Sequence, residues 1–315
     1  MDVEKKNVAI VGAGLIGRAW AVVFARAGWQ VRLFDAVPAQ LATARQLIAQ
    51  SLSEQELAGL VTDASAALER IAPCTRLSQA LTDASWVQEN LPEEVALKRT
   101  AFAEFDRLAS PDAILASSTS AIVASQFTAD LAGRARCLVA HPVNPPHLVP
   151  VVELCGAPWT NEDTLHRARA TMEALGQVPV LVRREVEGFV LNRLQGALLT
   201  EAMRLVADGV VSPDDLDKTM RDGLGMRWSF MGPFETIELN APGGVPDYCA
   251  RYSGFYRRLA VDPAPPAVWE EQSAERVAAA LGAPLTATQR EQRTAWRDRR
   301  LLALRRHKLD SESKD

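Results

Sequence analysis

The sequence predicts an α/β chain: a doubly wound parallel sheet over residues 1–186, then an all-helical domain over residues 187–315. Three observations carry that prediction. Short apolar runs alternate with helical stretches up to about Val182, a glycine-rich turn follows the first run, and strand-like runs cease after Glu187.

Asn7–Val11 reads as a short apolar strand, as expected when helices cover both faces of a sheet. The helical stretch from Ile16 to Ala27 ends at Gly28, a natural helix stop, and Val31–Phe34 is the next strand. Pro38–Arg70, rich in Ala, Leu and Gln, reads as helical. Trp86–Val87, Ala113–Ala116 and Cys137–Ala140 read as further parallel strands, and Val149–Leu154 and Val178–Val182 as two more. Phe189–Ala207 has helical apolar spacing and stops at Gly209. Ser212-Pro213-Asp214-Asp215 then supplies an N-cap, a proline at the first helical position and an acidic third residue. The charged tail Trp296–Asp315 carries Arg299, Arg300, Arg305, Arg306 and Lys308. A basic interaction arm is one reading, and a solvated terminal helix with a frayed end is the preferred one.

At 315 residues with 48% hydrophobic and 23% charged residues, the chain can build a sizeable core without metals or disulfides. A formal charge of −4 gives no reason to expect nucleic acid as a partner. No apolar stretch approaches the ~20 residues needed to span a bilayer, and the N-terminus runs into a strand without a signal-peptide pattern. A cytoplasmic protein without a membrane partner is expected. Cys74, Cys137, Cys155 and Cys249 are scattered, with no C-x-x-C pair and no zinc-type histidine spacing. Free buried thiols and no metal site are expected.

Gly12-Ala13-Gly14-Leu15-Ile16-Gly17 fits G-x-G-x-x-G and stands between a strand and a helix, the context that a Rossmann-type dinucleotide site requires. Gly12 permits the tight turn, Gly14 lets the backbone approach a pyrophosphate, and Gly17 lets helix and strand pack closely. The helix start, with the N–H groups of Leu15 and Ile16, offers donors and a positive dipole end to the phosphates. Asp35 ends the second strand, where a carboxylate accepts hydrogen bonds from the adenine ribose. It would repel a 2′-phosphate, and the next arginine is Arg45, so NAD is favoured over NADP. FAD-binding folds share the fingerprint, which does not separate the two.

Two polar stretches end predicted strands: Ala116-Ser117-Ser118-Thr119-Ser120, and His141-Pro142-Val143-Asn144-Pro145 leading on to Glu153. Such residues project into the ligand crevice of an open parallel sheet. Alcohol oxidation needs a base for the hydroxyl proton, and histidine suits that task near neutral pH. A carboxylate partner fixes its tautomer. Of four histidines, His141 alone stands at a strand end before a proline turn, while His147, His166 and His307 read as surface or loop residues. By themselves, Ser120 reads equally as a helix cap and Asn192 as a helix-start residue.

These residues make the chain similar to the 3-hydroxyacyl-CoA dehydrogenase superfamily. The resemblance runs from residue 7 to about 250. It rests on the glycine turn, Glu89 and Glu93 with Lys98, Ser117-Ser118-Thr119-Ser120, His141–Pro145, Glu153, Gly188-Phe189-Val190-Leu191-Asn192-Arg193, and Met231-Gly232-Pro233-Phe234-Glu235. It implies that His141 is the base, Glu153 its orienting partner, and Ser120 a hydrogen-bond donor to the substrate oxygen. It further implies that Asn192 holds the substrate, with Glu93 and Lys98 near the nicotinamide end of the cofactor. Substrate binding in a cleft between the domains and a homodimer through the helical domain are implied in the same way. The stretches His141–Pro146, Glu187–Gln195 and Gly223–Pro233 resemble the lambda-crystallin and L-gulonate 3-dehydrogenase branch.

Two features bear on substrate size. The resemblance places the CoA phosphates of acyl-CoA relatives against lysines on the hairpin after the second strand, yet residues 46–69 contain no Lys or Arg. Arg227 lies in a motif that faces the active site in relatives, and its guanidinium suits a carboxylate grip worth ~2 kcal/mol. A surface salt bridge is the alternative for Arg227. A small 3-hydroxy acid such as L-gulonate is favoured over 3-hydroxybutyryl-CoA. Carnitine is a further alternative, with Trp228, Phe230 and Phe234 as candidate cage residues for its ammonium. A non-catalytic, crystallin-type binding protein is the alternative from another class.

Overall fold

In β1 (Asn7–Val11) successive side chains enter opposite apolar layers: Val8 and Ile10 join one, Ala9 and Val11 the other. The same alternation continues through the sheet, with Ile114 and Ala116 on the first side and Leu115 on the second. This period of two, apolar on both faces, is what a strand covered by helices on each side requires. The computed structural model of the chain describes residues 6–312.

The remaining strands are β2 (Gln30–Phe34), β3 (Ile71–Cys74), β4 (Trp86–Glu89), β5 (Ile114–Ser117), β6 (Cys137–Pro142), β7 (Val151–Gly156) and β8 (Val178–Val182). They form one sheet in the order β3-β2-β1-β4-β5-β6-β7-β8. Strand order reverses beside β1, and the crevice above a reversal point is where open α/β sheets bind ligands. The helices of this part are α1 (Leu15–Arg26), α2 (Pro38–Leu57), α3 (Ala64–Glu69), α4 (Leu77–Leu81), α5 (Val95–Leu108), α6 (Ser125–Thr128) and α7 (Glu162–Ala174). One layer packs Trp20 and Phe24 of α1 on the sheet, and the other packs Phe102 and Phe105 of α5 with Phe127.

Three expectations change. The sheet is not wholly parallel, because β7 runs antiparallel to β6. Residues 143–150 connect them, and a parallel return needs a crossover of a dozen residues or more. The helical reading of Pro38–Arg70 breaks after Leu57, where Gly59 takes φ +70. The edge strand β3, which contains Pro73, was not expected.

The chain divides into two compact units. The first runs through Asn192 and takes back the segment from Ala295 onward; the second is Arg193–Thr294. The expected terminal helix forms and most of it is exposed, but part of it also docks on the first unit; its last residues, 313–315, lie outside the described residues. In the terminal helix Ala287–Glu312, Leu302 is buried. Arg305 donates to the carbonyls of Leu148 (3.3 Å) and Gly176 (3.1 Å), and Arg306 to that of Gly59 (2.8 Å). The reason is local: apolar Leu301 and Leu302 interrupt the basic run, and turn carbonyls need donors.

The second unit is helical. After α8 (Leu191–Ala207), whose first residues belong to the first unit, come Pro213–Lys218, Gly225–Trp228, Pro233–Leu239, Gly244–Ala260 and Glu271–Leu281. The expected cap is present, with the Ser212 hydroxyl accepting from the N–H of Asp215 at 3.2 Å. All four cysteines are free, but Cys249 is exposed rather than buried, because it lies on an uncovered helix face. No helix among the described residues is long and apolar enough to cross a membrane.

Candidate active site

The antiparallel register of β6 and β7 sets His141 directly opposite Glu153. Their side chains meet, Nδ1 to Oε2, at 2.8 Å, and both residues are almost wholly buried. The short β6–β7 connection therefore builds the pair, since it forces the return strand that brings position 153 beside position 141. Glu153 spends its other oxygen on backbone: Oε1 accepts from the N–H groups of Val190 (2.8 Å) and Leu191 (2.9 Å) at the start of α8. Burial works against its charge, but the hydrogen bonds from His141, Leu191 and Val190 outweigh it and hold the carboxyl below the usual carboxylate range. A carboxylate so held keeps the Nδ1 proton on the ring and leaves Nε2 free to accept one.

Phe189, quoted within the Gly188–Arg193 stretch but given no role by the sequence, supports this pair. It is fully buried, and its ring centroid lies 5.7 Å from that of His141. Its φ is +48, following Gly188 at φ +75. A bulky residue in the left-handed region costs about 1 kcal/mol or more, and its persistence needs a surrounding structure that enforces it.

The end of β5 brings a second group. The Thr119 hydroxyl (3.0 Å) and the Ser120 hydroxyl (2.9 Å) donate to Oε1 of Glu93, as does the Ser120 N–H. The Lys98 ammonium lies 3.5 Å from the other Glu93 oxygen. Burial opposes the charge on Glu93, yet the Ser120 N–H, Thr119 and Lys98 lower its pKa overall. Lys98 is itself 1% exposed and ion-paired at 3.0 Å with Glu89, which is wholly buried and also accepts from the Ser117 hydroxyl. For Glu89 burial wins, raising its carboxyl pKa against the pull of Lys98 and Ser117. Lys98 therefore reaches the site as a buried bridge between two carboxylates, not as an open cation. Asn192 donates to the Ser120 carbonyl at 2.8 Å. The Ser120 proton goes to Glu93 here, so it reaches a substrate oxygen as donor, the expected role, by turning away from Glu93, whose Oε1 keeps the Ser120 N–H and the Thr119 hydroxyl.

The glycine turn is built for close approach. A Cβ on Gly17 would lie 1.8 Å from the Gly12 carbonyl oxygen, and one on Gly12, at φ +93, would lie 2.6 Å from that of Asn90. A Cβ on Gly14 would meet nothing within 4 Å. Nothing in the protein itself demands glycine at position 14, which fits a backbone left bare for a pyrophosphate. Asp35 accepts from the N–H groups of Ala13 and Val37, both at 2.8 Å, so it anchors the turn and retains lone pairs for ribose hydroxyls. Arg45 is committed to the Ile71 carbonyl at 2.9 Å. Leu15 is half exposed at the start of α1, and Ile16 lines a pocket of about 300 Å³ together with Glu93, Ser120, His141 and Asn144. The helix that opens the glycine turn and the candidate base thus border one pocket. On its wall, Ser118 links Trp20, Gln88 and Asn90 through hydrogen bonds of 2.7–3.0 Å. Ser118 stood in the polar stretch after β5, but Trp20, Gln88 and Asn90 gave no sequence signal for the network.

Arg227 lies in the second unit, exposed on the short helix Gly225–Trp228, which follows a π-helical turn over Thr219–Leu224. Trp228, Phe230 and Phe234 of the same unit are 41%, 70% and 77% exposed.

Two family models match. The NAD-binding domain of 3-hydroxyacyl-CoA dehydrogenase covers residues 7–186, and its C-terminal domain covers 188–278. The lambda-crystallin homolog of Bos taurus is 45% identical over 303 residues, 95% of this chain and 94% of that protein. An L-carnitine dehydrogenase of Pseudomonas sp. is 38% identical over 74% of this chain and 72% of its own. Among solved structures, 5-formyl-3-hydroxy-2-methylpyridine 4-carboxylic acid 5-dehydrogenase, described as an NAD⁺-dependent dismutase, superposes with a TM-score of 0.84. It is 30% identical and covers 96% of this chain and 98% of its own.

Proposed function

Because the chain belongs to the 3-hydroxyacyl-CoA dehydrogenase family of NAD-dependent oxidoreductases, we propose that it oxidises the 3-hydroxyl of a small hydroxy acid of the L-gulonate class. The observation that carries this reading is the His141–Glu153 pair, bonded at 2.8 Å, on the same pocket as Ile16 of the glycine-turn helix. NAD⁺, when bound, accepts the hydride. The chain supplies the rest: Nε2 of His141 takes the hydroxyl proton, and Glu153 fixes the ring and balances the imidazolium that forms. Ser120 is proposed to turn its hydroxyl proton onto the substrate oxygen, and Asn192 holds the Ser120 main chain. Glu93 keeps Ser120 in place, and the Lys98–Glu89 pair keeps Glu93 in place. Arg227 is proposed to grip the substrate carboxylate.

Two observations support a small acid over an acyl-CoA. Residues 46–69 carry no Lys or Arg to meet nucleotide phosphates. Two relatives named above act on small acids by name, a carnitine and a pyridine carboxylic acid. Carnitine is the second reading, favoured by the dehydrogenase relative and by the exposed Trp228, Phe230 and Phe234. A homodimer through the helical unit is proposed from the resemblance.

The test is NADH formation, followed by its near-ultraviolet absorbance, with NAD⁺ and L-gulonate, L-carnitine or 3-hydroxybutyryl-CoA. The reading predicts the highest kcat/KM for L-gulonate or a related sugar acid. A preference for the acyl-CoA would overturn the substrate class, and NADH binding without turnover would favour a crystallin-type binding protein.

A further inference from the structure

We propose that the Gly188-Phe189 turn is a positioning device for the candidate base: two successive left-handed residues aim the first N–H groups of α8 at Glu153, which in turn holds His141. The inference rests on the reading of His141 as base and adds to it a pair of residues that touch neither substrate nor cofactor.

The geometry leads there in three steps. Glu153 Oε2 is taken by His141, so the carboxylate needs donors for Oε1 once it is buried. Those donors are the N–H groups of residues 190 and 191, immediately after the turn, at 2.8 and 2.9 Å. Such groups are unpaired within any helix and carry its positive dipole end, so a seated anion is doubly favoured. Reaching this position requires φ +75 at Gly188 and φ +48 at Phe189, and the second value is unfavourable for a large side chain. Full burial of Phe189 beside the His141 ring holds the unfavourable conformation in place. A strained residue whose strain delivers two donors to a buried carboxylate is an outlier with an assigned task. The next residue, Asn192, binds the Ser120 carbonyl, so the first turn of α8 ties both polar groups of the site.

The surroundings of Glu153 leave little else to set its charge. Among the described residues, His141 on β6 is the one titratable group bonded to it. Its neighbour on β8 is Val180, and the residues that meet it at the start of α8, Val190 and Leu191, are apolar. Along β7, burial together with Glu185 and Glu153 pushes the Cys155 thiol up to about 12, so it stays protonated.

Two variants separate backbone from ring. Both lose the ring, but Phe189→Val carries a branched side chain that rejects the left-handed region, whereas Phe189→Asn accepts it. Gly188→Ala is a milder disturbance of the same turn. Without its two donors burial dominates, and the carboxyl pKa of Glu153 climbs. A carbon-13 titration of that carboxyl, which needs no substrate and does not mix in protonation of His141, should move up by about half a pH unit or more in Phe189→Val and Gly188→Ala, with kcat down about tenfold and NADH affinity unchanged. In Phe189→Asn the titration should stay in place. Wild-type titration of Glu153 in folded Gly188→Ala and Phe189→Val overturns the proposal, as does an equal shift in Phe189→Asn. If Phe189→Val does not fold, Gly188→Ala carries the test. Absence of turnover in the wild type would sink the proposed reaction while leaving the carboxyl titration to decide the role of the turn.

Discussion

The two units of this chain bury their apolar side chains very differently. In the first, the strands and α1 and α5 fill two layers with fully enclosed residues such as Trp20, Phe24, Phe102 and Phe105. In the second, only Thr236, Ala241 and Val268 are buried among the described residues, while Leu194, Leu259 and Trp269 remain more than half exposed and Phe255 nearly so. On Gly244–Ala260, Tyr248 and Tyr252 pack at 4.7 Å between ring centroids, and the Tyr248 and Tyr256 hydroxyls meet at 2.8 Å, so the aromatic residues form one face. The lesson is that the sheet unit completes its own core, whereas the helical unit presents amphipathic faces in need of cover. The glycine turn, His141 and Glu153 all stand on the self-sufficient unit. Arg227 stands on the other.

That contrast can be broken or sharpened by substitution. Phe102→Ala in the sheet unit should cost about 3–5 kcal/mol of stability, read from denaturant midpoints; a loss below about 1 kcal/mol would mean that the enclosed layers are not what holds this unit. Arg227→Ala should lower kcat/KM for hydroxy acids about thirtyfold, near 2 kcal/mol, and spare neutral analogues. Equal losses for both would remove the carboxylate grip.

His147 provides a pH test of the sheet unit. Burial, with the charges of Arg26, Arg305 and Arg297, lowers its pKa from 6.5 to about 4. The unfolded chain then binds a proton that the folded chain refuses, so stability is lost as pH falls from 6.5 towards 4. Thermal midpoints of His147→Asn should be flatter across that window than those of the wild type, and identical slopes would refute the assignment. The smallest expected effect is Phe255→Ala in the helical unit. It should change protomer stability by less than about 0.5 kcal/mol yet shift sedimentation from dimer towards monomer. A monomeric wild type would show that another surface or none covers this face.

Much of the sheet unit was legible because its signals are local. The glycine spacing and the apolar runs of β1, β2 and β8 each need only a few adjacent residues, as does the Ser212 cap in the helical unit. His141 and Glu153 stood out through strand-end placement and family resemblance. What escaped depends on distant contacts. The reversal of β7 follows from a connection too short for a crossover, and the docking of the terminal helix from carbonyls at Leu148, Gly176 and Gly59. Lys98 and Glu89 stood out through the family resemblance alone, and nothing local marks their pairing in the interior. His147 lies in a loop, as read, but lines a pocket together with residues of α1, α2 and the terminal helix. Phe189 has no sequence mark of its left-handed backbone, since bulky residues seldom adopt it.

The central claim is that His141, braced by Glu153, takes the substrate proton beside a dinucleotide held by the glycine turn. The most direct measurement is the rate of NADH formation by His141→Ala at saturating NAD⁺ and hydroxy acid, with NADH affinity measured alongside. The account predicts a fall of about a thousandfold with unchanged NADH binding. A variant that keeps more than about a tenth of the wild-type rate would contradict it.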